Sequence, residues 1–160
     1  MRNVVCRFIE TVSMAELPIN LTVHKRFMDT IDDCLKSPLE HVQLEAKLSF
    51  DVFSRQYHKE VKASYAKYMT TMLKGAASDP NFAVKRGYTR ALSCWSNLYL
   101  SENVEKILDV LKVNCKIHAD KNADDAETRK FAIESIITIF CKLKSAAFGV
   151  ERFRVIYDLC

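Results

Sequence analysis

The sequence has few of the residues that make loops of unusual geometry, with three glycines and three prolines among 160 residues. The glycines at 75, 87 and 149 stand alone, so no glycine-rich loop can bring backbone amides against a phosphate. That excludes a P-loop and a dinucleotide fingerprint. The histidines at 24, 41, 58 and 118 have no HExxH context, and no serine sits in a GxSxG elbow. No catalytic residue and no cofactor is assigned, and the chain is expected not to be an enzyme. Long hydrophobic runs are missing too: the most apolar stretch, Ala132 to Cys141, is about half the length of a membrane span. The N-terminal MRNVVCRFIETV is interrupted by Arg7 and Glu10, unlike a secretory signal. Neither export nor membrane insertion is expected.

Cysteine occurs six times, at 6, 34, 94, 115, 141 and 160, but never as CxxC. Scattered through helical segments, these residues suit reduced, packed thiols in the cytosol better than a disulfide framework. Cys115 and His118 form one CxxH with no second pair at zinc-finger spacing, so they read as a core cysteine and a surface histidine, and no metal site is assigned. The net charge of +4 is mild, well short of a dedicated nucleic-acid binder.

What is present is helical periodicity, with 49% hydrophobic residues and no strand-like alternation. Val104, Ile107, Leu108, Leu111, Cys115 and His118 fall on one stripe of a segment opened by Ser101, and Val61, Tyr65, Tyr68, Met69 and Met72 do the same upstream. Ser37, Pro38 and Glu40 supply a capping hydroxyl, a proline for the first turn and a capping-box acid. Asp79 with Pro80 repeats the cap and proline, and Asp124 with Glu127 gives a third acidic start. The pattern predicts eight helices, near 2–16, 22–36, 38–57, 59–74, 80–99, 102–118, 125–144 and 150–160.

An internal repeat organises them. A shift of 42 residues places Ser37 on Asp79, Pro38 on Pro80, Val42 on Val84, Phe50 on Leu92 and Phe53 on Trp95. A further shift of 44 sets Thr128 on Val84, Arg129 on Lys85, Ser135 on Ala91 and Ile136 on Leu92. A fourth copy opens the chain, with Arg2 on Lys85, Arg7 on Arg90, Ile9 on Leu92 and Val12 on Trp95. Two-helix units of this length, whose second helix opens with Asp-Pro-x-x-x-Val-basic, resemble HEAT repeats. The expectation is an all-α, HEAT/armadillo-like α-solenoid of antiparallel helix pairs. It forms one unit over 1–160, with second helices near 1–16, 37–57, 79–99 and 124–144. The helix from 125 to 144 is apolar around most of its circumference, and both termini fall inside helices, so a fragment of a longer solenoid, truncated at both ends, is expected.

Charge is uneven along the stack. Arg55 to Arg90 carries eight Lys or Arg and two acids, a balance of +6, whereas Asp29 to Asp51 carries six acids and two lysines, a balance of −4. Such a basic strip is either the solvated outside of ordinary helices or a surface that steers an acidic protein. Tyr57, Tyr65, Tyr68 and Tyr88 lie within it, but Tyr65 and Tyr68 share the apolar stripe with Met69 and Met72, so they read as core rather than as base-stacking platforms. The basic residue after the repeat valine (Arg2, Lys85 and Arg129, with Gln43 the exception) reads first as an internal ladder to acids at helix starts, and second as a partner contact. Trp95, aligned with Phe53 and Ile139, reads as core.

At residues 79–92 the likeness becomes more specific. AVKRGYTRAL, with glycine directly after a basic pair, resembles the Val-basic-basic-Gly-aromatic helix in the C-terminal part of the tubulin-folding cofactor D family. ENVEKILDVLKVNCKIH resembles the next helix of that region, and DDAETRKFAIESIITI its Ala-Glu-Ser-Arg-Arg segment. The likeness is clearest over 37–145, with Lys85, Tyr88, Thr128 and Lys130 as mild departures. It implies a cytoplasmic, non-catalytic chaperone of the microtubule cytoskeleton. Such a protein would bind β-tubulin, assemble with other tubulin-folding cofactors, support stimulation of tubulin GTP hydrolysis and engage an Arf-like small GTPase. Under that reading Lys85, Arg86, Arg90, Arg129 and Lys130 are the candidate partner-binding residues, with nucleic acid not expected as a partner. The alternative is a HEAT-repeat scaffold or transport adaptor for other proteins or a small GTPase.

Overall fold

The computed structural model describes residues 2–57, 62–117 and 125–143, and these are all-α, with no strand among them. Seven helices follow one another: α1 (Arg2–Met14), α2 (Leu21–Leu35), α3 (Glu40–Gln56), α4 (Lys62–Ser78), α5 (Phe82–Ala91), α6 (Asn97–Cys115) and α7 (Ala126–Lys142). A 3-10 turn, Leu92–Cys94, extends α5. The eighth predicted helix, 150–160, lies outside the described residues, as do Val61 and His118 of the two predicted stripes.

The packing has two layers. α1, α3, α5 and α7 stack in order, and α2, α4 and α6 cover them, α2 against α3, α4 against α5 and α6 against α7. This is the α-solenoid arrangement that the repeat predicts: each helix pair leaves apolar flanks that only the neighbouring pair can remove from water. Positions aligned by the repeat are buried together. Phe50 and Leu92 are fully buried and Ile136 nearly so, while Phe53, Trp95 and Ile139 are fully buried. Trp95 packs edge-on to Phe50 and Tyr65, at centroid separations of 4.8 and 5.2 Å. Burying side chains of this size contributes roughly 1.5–3 kcal/mol each.

The repeat is also written in hydrogen bonds. The Ser49 hydroxyl on α3 donates to the Cys6 carbonyl on α1 at 2.7 Å. The Ser135 hydroxyl on α7 donates to the Thr89 carbonyl on α5 at 2.9 Å. Ser49 and Ser135 occupy equivalent positions, as do Cys6 and Thr89, so the α1/α3 and α5/α7 interfaces share one register. Between α3 and α5, where Ala91 replaces the serine, Ser54 instead donates to the Cys94 carbonyl at 2.5 Å.

Helix boundaries depart from the sequence reading where side chains compete for the backbone. α3 starts at Glu40, not near Pro38. The Ser37 hydroxyl accepts from the Leu39 amide at 3.3 Å, and Leu39 takes the cap position without a side-chain bond. Asp79 accepts from the Asn81 amide and Asn81 in turn from Ala83, both at 2.9 Å, so Asn81 is the cap and Asp79–Pro80 a turn before it. α1 ends at Met14 because Glu16 adopts a left-handed conformation, φ 53°, ahead of Pro18. The predicted helix 80–99 is two elements. Trp95 is extended and Ser96 caps α6, its hydroxyl accepting from the Tyr99 amide at 3.4 Å, so Ser96 and not Ser101 opens that helix.

Candidate protein-binding surface

The five residues singled out from sequence lie on α5 and α7, and the fold assigns several of them an internal task. Arg86 Nε and Nη2 donate to the two carboxylate oxygens of Asp125, both at 2.6 Å, and Nη1 lies 3.0 Å from Glu127. Asp125 stands at the cap position of α7, and its carboxylate also accepts from the Thr128 hydroxyl. Burial alone would raise the Asp125 pKa, but the bonds from Arg86 and Thr128 outweigh it and hold the carboxyl below its ordinary value. The Asp125 bond likewise raises the Arg86 pKa against an opposing contribution from burial. A two-pronged guanidinium–carboxylate pair of this kind fixes orientation as well as charge.

Arg90 is 5% exposed. Its guanidinium carbon lies 3.7 Å from the Phe131 ring centroid on α7, and Nη2 donates to Glu40 at the start of α3 at 3.0 Å. Arg90 is thus enclosed between three helices of one layer, whereas Arg86 is clamped to the start of α7 with a third of its side chain exposed. Lys85 is half-buried, and its carbonyl accepts the Thr89 hydroxyl. Arg129 is half-buried, and Lys130 is exposed with its ammonium 5.9 Å from the Phe131 centroid. In place of the ladder expected at Lys85, one ion-pair site forms a residue later, Arg86 with Asp125 and Glu127 at the start of α7. Gln43, set aside in the sequence as the exception, makes an uncharged version of it. Its amide donates to the Ser37 carbonyl at 2.7 Å and to the Ala83 carbonyl at 2.6 Å, tying α3 to α5.

The same holds for the charge asymmetry. All six acids between Asp29 and Asp51 have partners: Tyr68 on Asp29, Tyr88 and Lys36 on Asp32, Lys36 on Asp33, Arg90 on Glu40, Arg7 on Glu45, and Arg55 with Lys142 on Asp51. Lys142 also donates to the Ser93 carbonyl at 2.8 Å, so its ammonium ties the last turn of α7 both to the 3-10 turn after α5 and, through Asp51, to α3. Tyr57, Tyr65, Tyr68 and Tyr88 are all buried, so their faces are not available to stack bases.

The residues that make up the family-like helix have packing reasons. Gly87 lies where α5 meets the end of α2, and a Cβ built there would collide with the Leu35 carbonyl oxygen. Gly75 on α4 gives the same room to the Tyr88 ring. The Tyr88 hydroxyl donates to buried Asp32 at 2.9 Å, and burial together with that carboxylate pushes the phenol pKa up, so it remains a donor. Asn114 on α6 completes this centre, donating to the Ala76 carbonyl and to the Thr89 hydroxyl, each at 3.0 Å.

Exposed residues include Lys130 among the five candidates and others beyond them. Lys67 and Lys74, seven apart on the outer face of α4, are exposed. Lys74 lines an open cleft of about 540 Å³ together with Lys36, Thr70, Thr71, Ser78 and Asp79. On the opposite layer, His41, Leu44, Leu48 and Arg55 form the solvent ridge of α3, with Leu44 and Leu48 about half exposed. The signal for both was available in the periodicity of the two helices, but which stripe faces water depends on the neighbours.

Among the described residues no group of histidine, cysteine, aspartate and glutamate could hold a metal ion, and no helix is long and apolar enough to cross a membrane. The fold and its exposed surfaces define the class, a helical-repeat stack. No family model matches the chain, and comparison with curated proteins and with solved structures gave no significant match.

Proposed function

We propose that the chain is a non-catalytic protein-binding solenoid that acts in tubulin folding. It would take up β-tubulin, together with other tubulin-folding cofactors and an Arf-like small GTPase, in the cytoplasm at the microtubule cytoskeleton. The observation that carries this reading is the Val84-Lys85-Arg86-Gly87-Tyr88 helix and its likeness to the cofactor D family. Because Gly87 and Tyr88 are packing residues, the likeness speaks for a shared mode of stacking, on which the function rests by analogy. Tubulin is acidic, and Lys67 and Lys74 on the outer face of α4, the second of them lining the cleft, are cations exposed to such a client. A scaffold or adaptor for other proteins is the second reading, favoured by the Leu44 and Leu48 ridge, which suits an apolar helix better than an acidic surface.

The test is capture of native tubulin by the purified chain at low and moderate salt, with an oligonucleotide as control. The expected result is salt-sensitive tubulin capture, weakened by Lys67→Glu with Lys74→Glu, and no retention of the oligonucleotide. A folded chain that captures no tubulin at low salt would overturn the tubulin reading and leave the adaptor reading.

A further inference from the structure

Two of the buried cysteines meet across the first helix pair. Cys6 lies on α1 and Cys34 in the last turn of α2, each no more than 1% exposed, in the core where these two helices pack. Nearer their connection, Phe8 and Phe27 hold the same helices together edge to face, with ring centroids 6.2 Å apart. Both cysteines hang from anchored backbone. The Cys6 carbonyl accepts the Ser49 hydroxyl at 2.7 Å, and the Cys34 carbonyl accepts the Ser37 amide at 3.1 Å, where α2 ends. The Cys6 thiol faces that of Cys34, with the Ser49 hydroxyl and the Glu45 carboxylate also acting on it. Contact with Cys34, and then burial, push the Cys6 thiol well above its ordinary range, so the pair is unreactive while the helices stay packed. Cys94 is buried as deeply, but Asp51, Lys142, Lys47 and Ser93 act on it rather than a second thiol. Packing asks only for small apolar side chains at such positions; two thiols set against each other on separate helices add a chemistry that packing does not need.

We propose that Cys6 and Cys34 form a reversible disulfide that fastens α1 to α2 under oxidising conditions. Closing it breaks two S–H bonds and makes one S–S bond. The two electrons and two protons pass to a disulfide of the glutathione class, whose own S–S bond breaks to give two thiols. Local parting of α1 from α2 exposes the sulfurs for this exchange, and repacking then shields the bridge from reduction. Once closed, it prevents the first helix pair from opening and leaves the later pairs as they are.

The experiment equilibrates the intact chain in buffers of graded reduced and oxidised glutathione. Each buffer is reached both from the native chain and by refolding from urea, so that slow access to buried thiols does not hide the equilibrium. Acid quenching, alkylation in denaturant and peptide mass mapping report the pairing. The expected result is a linked pair of peptides carrying Cys6 and Cys34, whose share rises with oxidised glutathione and falls when reductant is returned, with Cys94 alkylated throughout. The bridged chain should melt about 5–10 °C above the reduced one. Cys34→Ser should abolish the link and Cys94→Ser should keep it; where Cys34→Ser does not fold, Cys34→Ala serves instead. A folded chain whose two thiols remain alkylatable at the most oxidising ratio by either route would overturn the proposal. So would Cys6 linking to other cysteines as often as to Cys34, or a bridged chain that melts no higher than the reduced one.

Discussion

The Arg90 guanidinium carbon lies over the Phe131 ring, 3.7 Å from its centroid, with both residues buried at the junction of α5 and α7. A cation in this position holds the stack together through contact with the ring and through its bond to Glu40. Glu40 is itself two-thirds exposed, so most of the stabilisation comes from burial and the ring. Replacing Arg90 with alanine is expected to lower stability by about 1–3 kcal/mol, read as a reduced urea midpoint. Arg90→Lys should restore only part of it, because a single ammonium cannot both sit over the ring and reach Glu40 as the forked guanidinium does. A midpoint unchanged in Arg90→Ala would return this residue to the surface.

Gly87 tests the close approach of α5 to α2. Alanine is preferred to glycine inside a helix by about 1 kcal/mol, so the propensity argument alone says that Gly87→Ala stabilises. The new Cβ would meet the Leu35 carbonyl oxygen, a backbone atom that cannot turn aside. Overpacking of that kind costs about 1–3 kcal/mol, and the net change should be destabilising. Thermal melts of the variant decide it; a raised melting temperature would show that the two helices can separate without loss.

Asp125 predicts how stability responds to acid. Its folded-state pKa lies below the ordinary value of 3.8, so the unfolded chain binds the proton first as pH falls. The stabilisation is present above about pH 4 and is lost as pH drops through the lower folded value. Asp125→Asn is expected to remove this share of the acid dependence and to cost about 1–3 kcal/mol at neutral pH, since Arg86 loses its charged partner. Urea titrations of both proteins between pH 7 and 3 should converge at the acid end. Curves that stay parallel would mean that the pair contributes nothing specific.

The thiols should divide by burial. Cys6, Cys34 and Cys94 are buried, and burial pushes the Cys94 pKa up to about 11, while Cys141 is exposed. The thiolate is the reactive form, so under native conditions an alkylating reagent is expected to reach Cys141 well before these three, with the order read by peptide mass mapping. Early labelling of Cys94 would show that the α5–α6 junction opens.

The sequence determined the helices and the repeat. Apolar residues three and four apart define which side of each helix must leave water, and that depends on nearest neighbours along the chain alone. The alignment of Phe53, Trp95 and Ile139 followed from the same spacing, and all three are fully buried. The point where α5 gives way to α6 was written only weakly, in Ser93, Ser96 and Asn97, because a cap competes with helix continuation by a kcal/mol or so. Tertiary structure alone decided what the charges do. Arg86 and Arg90 look like surface residues in a one-dimensional reading, and the acids from Asp29 to Asp51 look like an open field. Apart from the local pairs of Lys36 with Asp32 and Asp33 and of Arg55 with Asp51, their partners lie some 40 to 90 residues away, from Asp125 on Arg86 to Lys142 on Asp51. A long side chain at a repeat interface is read by the helix that stacks on it, and no pattern within a single helix reveals that neighbour.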